Sequence, residues 1–277
     1  MINMLGEIKS GDDCMKVSNH VDALNHYKKA ADIFPCAKSL YSLGHYYYSD
    51  KQYEKAESVL KRALNEHCKQ RDDKDKFMVA KDLGLCELKL KEYDNARKVF
   101  GLAISVTRNL QNFNPDHELK KGIEEIRPAL ATATALVKFN DGKVCEDRKE
   151  YKNAAFLYNE SINAWPSEEA YFHSGLCRME LKDYENALCD IEKAFNMRYD
   201  KTSVHDKFMI ECLINKGICL METAQYEKSR DELESAYDRS KPIGDHNLTG
   251  KAKFCLDEIN KHLEKTKRVA SEVYVFA

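Results

Sequence analysis

The 277-residue sequence has few residues that break helices and no long hydrophobic run. It contains only 5 prolines and 11 glycines, too few for a protein of many short strands joined by tight turns. Its longest mildly apolar stretch, residues 129–137, falls far short of the ~20 residues that a membrane-spanning helix needs. The first residues also lack the basic and apolar regions of a secretory signal. We therefore expect a helical protein without a membrane span.

The sequence also lacks a charge excess and any pattern of cysteines. It has 44 basic and 46 acidic residues and a net charge of -2, so direct binding to nucleic acid or to an anionic membrane is not expected. The 10 cysteines form no C-x-x-C pair and no Cys/His ligand spacing, and the chain is not a short disulfide scaffold. We expect reduced, core-filling cysteines and a reducing compartment, the cytoplasm or the nucleus.

No motif of catalysis or metal binding is present. The sequence has no Gly-rich phosphate loop, no H-E-x-x-H and no G-x-S-x-G. The histidines are scattered, and the carboxylates fall on helix faces of alternating charge, so no cluster has metal-ligand spacing. We therefore expect no enzyme, no cofactor and no metal site.

One pattern of helix pairs recurs along the chain. In residues 40–68 a first predicted helix carries Leu43, Gly44 and Tyr47, and a second carries Ala56 and Leu60. Small residues stand where two helices must nearly touch, and large ones fill the space between them. The stretch resembles a tetratricopeptide repeat, whose signature is W-x2-L-G-x2-Y followed by Ala and an aromatic residue or leucine.

The repeat glycines indicate six such units and an internal duplication. The spacings between the first three glycines, 33 and 40 residues, recur as 33 and 42 between the last three. Loop residues agree as well, because Asp75-Lys76-Phe77-Met78 recurs as Asp206-Lys207-Phe208-Met209. The six glycines are Gly11, Gly44, Gly84, Gly142, Gly175 and Gly217.

The predicted fold is an all-α, right-handed superhelical solenoid of six helix-turn-helix repeats, with about fourteen helices. Two duplicated three-repeat modules, residues 1–135 and 136–270, each end in a trailing helix. Pro128 is expected to kink or split the first trailing helix, and the second should end near Val269. Residues 271–277 then form an apolar tail that packs on the cap, enters a groove of the same or another copy in self-association, or serves as a ligand.

The resemblance implies that the first helices of the repeats line a concave groove that binds partner proteins or peptides. We predict its lining from the helix faces opposite the packing residues; the alternative is that these residues pack against neighbouring helices. The first module would present Ile8, Lys9, Asp12, Tyr41, His45, Tyr48, Lys81 and Leu85. The second would present Phe139, Asn140, Lys143, Phe172, His173, Leu176, Met179, Ile214, Asn215 and Ile218.

One subfamily can be tested on these positions. Its chaperone-binding members grip a C-terminal carboxylate with Lys and Asn in the first repeat, Asn in the second, and Lys and Arg in the third. The first-repeat positions here hold Ile8 and Asp12 in one module and Phe139 and Lys143 in the other. We therefore predict no tight binding of an acidic chaperone tail.

The function predicted from the sequence is a non-catalytic adaptor or scaffold that binds partner proteins in its groove. The alternative is a regulatory or assembly subunit of a larger complex, such as one that processes RNA, with contacts through the convex face and the basic C-terminal helix. Loss of partners on Phe172→Glu, but not on Lys261→Glu with Lys265→Glu, would favour the groove. The basic residues of that helix are Lys251, Lys253, Lys261, Lys265, Lys267 and Arg268.

Overall fold

In the computed structural model of the protein, residues 1–67, 73–110, 117–199 and 206–275 are described, and every regular element in these ranges is a helix. This confirms the all-α prediction. The helices are α1 Ile2–Lys16, α2 His20–Ile33, α3 Ala37–Ser49, α4 Tyr53–His67, α5 Asp73–Lys89, α6 Tyr93–Leu110, α7 His117–Asp147, α8 Tyr151–Ala164, α9 Glu168–Glu180, α10 Tyr184–Tyr199, α11 Lys207–Glu222, α12 Tyr226–Ser240, a 3₁₀ helix Lys241–Ile243, and α13 His246–Val275.

The chain divides into two compact units, Met1–Val137 and Lys138–Ala277. In the first, α1 packs on α2, α3 on α4 and α5 on α6, and the first helices α1, α3 and α5 are neighbours. In the second, α10 packs on α9, α12 on α11, and α9 contacts α11. The assignment of residues 1–135 and 136–270 to duplicated modules stays a prediction.

The six repeat glycines all lie at close contacts between two helices. A Cβ atom built on any of them would come within 2.5 to 2.8 Å of a side chain on the second helix of the same repeat. These side chains are Tyr27, Leu60, Phe100, Tyr158, Ile191 and Leu233. Any larger residue would push the helices apart, because a packed interior has no free volume to absorb a methyl group.

The turn inside each repeat contains a residue in the left-handed region that is not glycine. Two residues after the end of each first helix, φ lies between 59° and 65°. The residues are Ser18, Lys51, Lys91, Lys149, Lys182 and Ala224. L-residues pay about 1–2 kcal/mol for this conformation, so packing of the two helices must hold the turn closed. The sequence shows no glycine signal there.

Helix α7 corrects one part of the expectation about Pro128, because the helix is not split there. The trailing helix and the first helix of the fourth repeat form one helix, His117–Asp147, with Pro128 inside it. Proline in a helix costs about 3 kcal/mol, but Ile126 and Ala133 on either side are fully buried against α5 and α6 residues. This packing offsets the lost hydrogen bond, and the described chain has thirteen α-helices rather than about fourteen.

Helix α13 extends further than expected. It buries Leu248, Ala252, Ile259 and Leu263 and packs on α11 and α12. It continues to Val275 instead of ending near Val269, so residues 271–275 are helical and not a separate tail. Residues 276 and 277 lie outside the described residues, and the three roles considered for this segment stay predictions. No helix in the described ranges is both long and apolar enough to cross a membrane.

Candidate partner-binding site

A cleft in the first unit collects side chains from successive first helices. Its volume is about 250 Å³. Four of the predicted groove residues line it: Ile8 and Asp12 from α1, and Tyr41 and His45 from α3. The remaining lining residues are Tyr27, Lys38, Ser42 and Asp75. The structure therefore brings together residues that lie far apart in the sequence.

A charged network holds the wall of this cleft. His45 Nδ1 lies 2.7 Å from an Asp82 carboxylate oxygen, and Lys81 Nζ lies 2.7 Å from the other. Asp82 is fully buried, whereas the His45 side chain is 52% exposed. Burial would raise the pKa of Asp82, but the His45 hydrogen bond and the Lys81 charge outweigh it and lower that pKa. The carboxylate therefore stays ionised and fixes the exposed imidazole.

The other predicted residues of the first unit are divided between surface and core. Lys9 is exposed, and Tyr48 is half-buried beside Tyr53, with ring centroids 5.9 Å apart. Leu85 packs half-buried against the α5–α6 core. Lys81 is only 9% exposed, because its ammonium group lies between Asp82 and Glu125. It pairs with the carboxylate that holds His45 and is not among the residues that line the cleft.

In the second unit, predicted groove residues form a cluster of aromatic rings rather than a charged network like that of Asp82. The ring centroids of Phe139 and Tyr158 each lie 5.5 Å from that of His173. His173 Nδ1 lies 2.9 Å from a Glu146 oxygen, and the Tyr158 hydroxyl donates to the same oxygen. His173 is about a quarter exposed, so this cluster has one polar edge at the surface.

Three predicted groove residues of the second unit are buried instead. Phe172 is 7% exposed and lies 4.9 Å from Phe208, centroid to centroid. Ile214 is fully buried in the core that α13 completes, and Asn215 is 5% exposed, with its Nδ2 donating to the Glu211 carbonyl. These contacts remove them from the surface, so Phe172→Glu would disrupt the core rather than test a groove.

The remaining predicted residues of the second unit are at least partly accessible. Asn140 and Lys143 are exposed on α7, and Lys143 Nζ lies 6.0 Å from the Phe139 ring centroid. Leu176, Met179 and Ile218 are half-buried against the α9–α12 cores. The accessible part of the predicted surface is therefore smaller than expected and centres on Phe139, His173 and the exposed α7 side chains.

Sequence spacing missed a cluster of three carboxylates. Oxygen atoms of Glu57, Glu87 and Glu92 lie within 4.8 Å of one another. Glu87 is 1% exposed, and burial raises its pKa to about 7. These positions have no metal-ligand spacing in the sequence, and the expectation of no metal site stays a prediction. Because the residues come from α4, α5 and the turn before α6, only tertiary packing joins them.

The nine cysteines described by the structure are free thiols. Cys86, Cys177, Cys212 and Cys219 are buried, and burial raises the pKa of Cys86, Cys177 and Cys219 to about 12. Such thiols are almost never ionised near neutral pH and are poor nucleophiles. They fill space in the core.

Comparison with known proteins identifies the repeats. The family model for the tetratricopeptide repeat matches residues 37–65 and 168–201, which are the pairs α3–α4 and α9–α10. Similar solved structures include the TPR2AB domain of yeast Sti1 in a pHSP90 complex, at 18% identity and a TM-score of 0.41, covering 93% of this chain and 98% of that one. Another is Acl4, an assembly chaperone of RpL4, at 13% identity and a TM-score of 0.44, covering 97% and 99%.

A third is the TPR domain of P58(IPK), at 15% identity and a TM-score of 0.45, covering 99% of this chain and 68% of that one. These TM-scores are too low to support a conclusion. The assignment of the repeats rests on the two matched segments, the helix pairs and the glycine contacts. On that basis residues 37–65 and 168–201 are tetratricopeptide repeats.

Proposed function

We propose that this protein is a non-catalytic adaptor that binds a peptide segment of a partner protein in the cleft of the first unit. The observation that carries the proposal is the lining of that cleft. Side chains from α1, α3 and α5 converge on a space of about 250 Å³. Repeat proteins use such surfaces, formed by stacked units, to bind other chains.

The size of the cleft favours a side-chain anchor over a small molecule. Small-molecule sites usually measure about 300–1,000 Å³, so this space suits one or two side chains. Tyr27 and Tyr41 offer ring surface, while Asp12 and Asp75 bring negative charge to the rim. We expect a partner segment that inserts an apolar residue and carries a basic residue beside it.

The wall of the cleft is held in place before binding. His45 is fixed by the buried Asp82 carboxylate, which also holds Lys81. A side chain that is already ordered loses less entropy when a partner binds. The exposed half of the imidazole ring is therefore a suitable hydrogen-bonding group for the peptide backbone.

The second unit supports a different binding preference. Its accessible surface combines Phe139 and His173 with the exposed Asn140 and Lys143, and it has no counterpart to the Asp82 network among the described residues of α11. We propose that it binds a second, less charged segment, so that the adaptor bridges two sites.

The proposal can be tested by filling the cleft of the full chain without touching the core. Ser42 lines the cleft, and its hydroxyl donates to the carbonyl of Lys38. Ser49 lies on the same helix, is exposed, and makes the same kind of bond to the carbonyl of His45. Ser42→Trp should abolish co-purification of partners identified by mass spectrometry, whereas Ser49→Trp should retain them, with circular dichroism confirming that both fold.

Partners that survive Ser42→Trp would contradict binding in the cleft. Their loss on Lys261→Glu with Lys265→Glu would instead support the alternative, an assembly subunit that docks through α13. That face is less basic than the sequence suggested. Lys261 Nζ pairs with Glu258 at 3.0 Å, and Asp257 and Glu264 are exposed on the same helix.

A further inference from the structure

The carboxylate cluster lies within the helix packing of the first unit. Glu57 is on α4, Glu87 near the end of α5, and Glu92 in the turn that leads into α6. The oxygens of all three approach within 4.8 Å of one another. The turn is held by the Glu92 amide, which donates to the Glu87 carbonyl at 2.8 Å. Two of the carboxylates therefore have fixed backbone positions.

Glu87 has a buried carboxylate oxygen that forms no hydrogen bond with any described residue. Its side chain is 1% exposed, and among the described residues its Oε2 has no hydrogen-bond partner. Burying an unpaired carboxylate oxygen is costly. Structures retain such groups mainly where they serve a ligand or a specific interaction.

Among the described residues, Lys61 supplies the one positive charge that contacts the cluster. Lys61 Nζ pairs with Glu57 and lies 3.6 Å from Glu87 Oε1. Glu92 instead accepts a hydrogen bond from the Asn95 amide at 2.8 Å. One ammonium group cannot balance three carboxylates. Because the Lys61 side chain is 47% exposed, it can move into water when another cation enters.

The second unit shows that the repeat fold does not require these charges. The positions at the same distances from the repeat glycines are Leu188, Leu220 and Gln225. Leucine at two of them satisfies the packing without any carboxylate. The cluster is therefore particular to the first unit and is not a structural need of the helix pair.

We propose that Glu57, Glu87 and Glu92 bind one divalent cation, with Ca²⁺ as the preferred ion. The group offers oxygen ligands and no His or Cys, which favours hard cations over zinc. Ca²⁺ accepts carboxylate oxygens in flexible geometry, whereas Mg²⁺ demands near-ideal octahedral geometry and gives up its water molecules reluctantly.

The test is calorimetric titration of the full chain with CaCl₂ and, separately, MgCl₂. We expect one Ca²⁺ per chain with a dissociation constant of about 10⁻⁵–10⁻³ M, in the range of moderately charged sites, and weaker Mg²⁺ binding. Glu87→Gln should weaken Ca²⁺ binding at least about tenfold by removing one charged ligand. Glu92→Gln, which changes no buried group of α5, should act in the same direction.

Two further variants distinguish a specific Ca²⁺ site from nonspecific electrostatic attraction of cations. Lys61→Gln should tighten Ca²⁺ binding, since no ammonium group has to be displaced. Glu54→Gln, at an exposed position of α4, should leave it unchanged. Equal affinity of wild type and Glu87→Gln, no tightening in Lys61→Gln, or no binding at about 10 mM Ca²⁺, ten times the weakest usual dissociation constant, would each overturn the proposal.

Discussion

The two units share the same helix pairing and the same turns, but they differ in the side chains at other positions of their first helices. Both place a repeat glycine under a large side chain of the second helix, and both turn through a left-handed residue. At corresponding positions of the third repeats, however, Lys81 and Asp82 are replaced by Ile214 and Asn215. The first unit therefore buries an ionic network where the second completes an apolar core with α13. The repeat fixes helix packing and leaves the remaining first-helix positions free to diverge.

Two buried aspartates show that the neighbouring side chains determine the direction of the pKa shift. In the first unit, burial of Asp82 is outweighed by His45 and Lys81, and its pKa is lowered. In the second, burial of Asp190 outweighs the Ser174 hydrogen bond and the Arg178 charge, and its pKa is raised. Two carboxylates of similar burial therefore make opposite contributions to the pH dependence of stability.

The largest change in stability is expected from Asp82→Asn, which gives the first unit the residue type found at the corresponding position of the second. Asp82→Asn removes the charge that neutralises the buried Lys81 and should lower the free energy of unfolding by about 3 kcal/mol. Asn215→Ala breaks one hydrogen bond to the Glu211 carbonyl and should cost about 1 kcal/mol. Urea unfolding followed by circular dichroism measures both, and equal losses would contradict the assigned roles.

The pH dependence of two substitutions should run in opposite directions. Because the folded pKa of Asp82 is lowered from 3.8, its stabilisation is present above that value and is lost as the pH falls through the folded pKa. The cost of Asp82→Asn should therefore shrink in acid.

Asp190 has its pKa raised from 3.8, so its stabilisation is present below that value and is lost as the pH rises through the folded pKa. The cost of Asp190→Asn should shrink toward neutral pH. The free energy of unfolding of both variants can be measured between pH 3 and 7 in steps on the order of one pH unit. Parallel curves of free energy against pH would refute the assignment.

A smaller difference is expected between two corresponding tyrosines. Tyr158 is fully buried, and its hydroxyl donates to Glu146, which also contacts His173. Tyr27 donates to the exposed Asp12 at 2.7 Å. Tyr158→Phe should cost about 2 kcal/mol, in the range for buried bonds to charged groups, and Tyr27→Phe about 1 kcal/mol or less. Thermal unfolding of the two variants side by side would reveal a reversed order.

The smallest effect should be the same in both units. Lys91 and Ala224 occupy corresponding turns at φ values of 65° and 60°. Glycine at either position relieves the left-handed strain and should raise stability by about 0.5–1 kcal/mol. Arg62→Gly, at an exposed position in the interior of α4, should instead lose about 1 kcal/mol. A gain in only one unit would show that the turns are not equivalent.

The sequence predicted the helix pairs well because their signal is local. Gly44 and Ala56 mark the close contact, and each repeat carries the same offsets. Prediction of the groove residues was weaker. Tyr41 and His45 do line a cleft, but Phe172 and Ile214 are buried by Phe208 and by the residues of α13. Helical periodicity gives the face of a residue, not which neighbouring helix covers that face.

The sequence by itself determined that this protein is a helical repeat protein, since glycines and alanines at fixed offsets allow only closely paired helices. Only the tertiary structure decided which outward positions are accessible, that α7 continues through Pro128, and that Glu57, Glu87 and Glu92 meet. Local packing rules act over a few residues and can be found along the chain. Burial and charge clustering depend on contacts between separate helices, which no spacing in the sequence records.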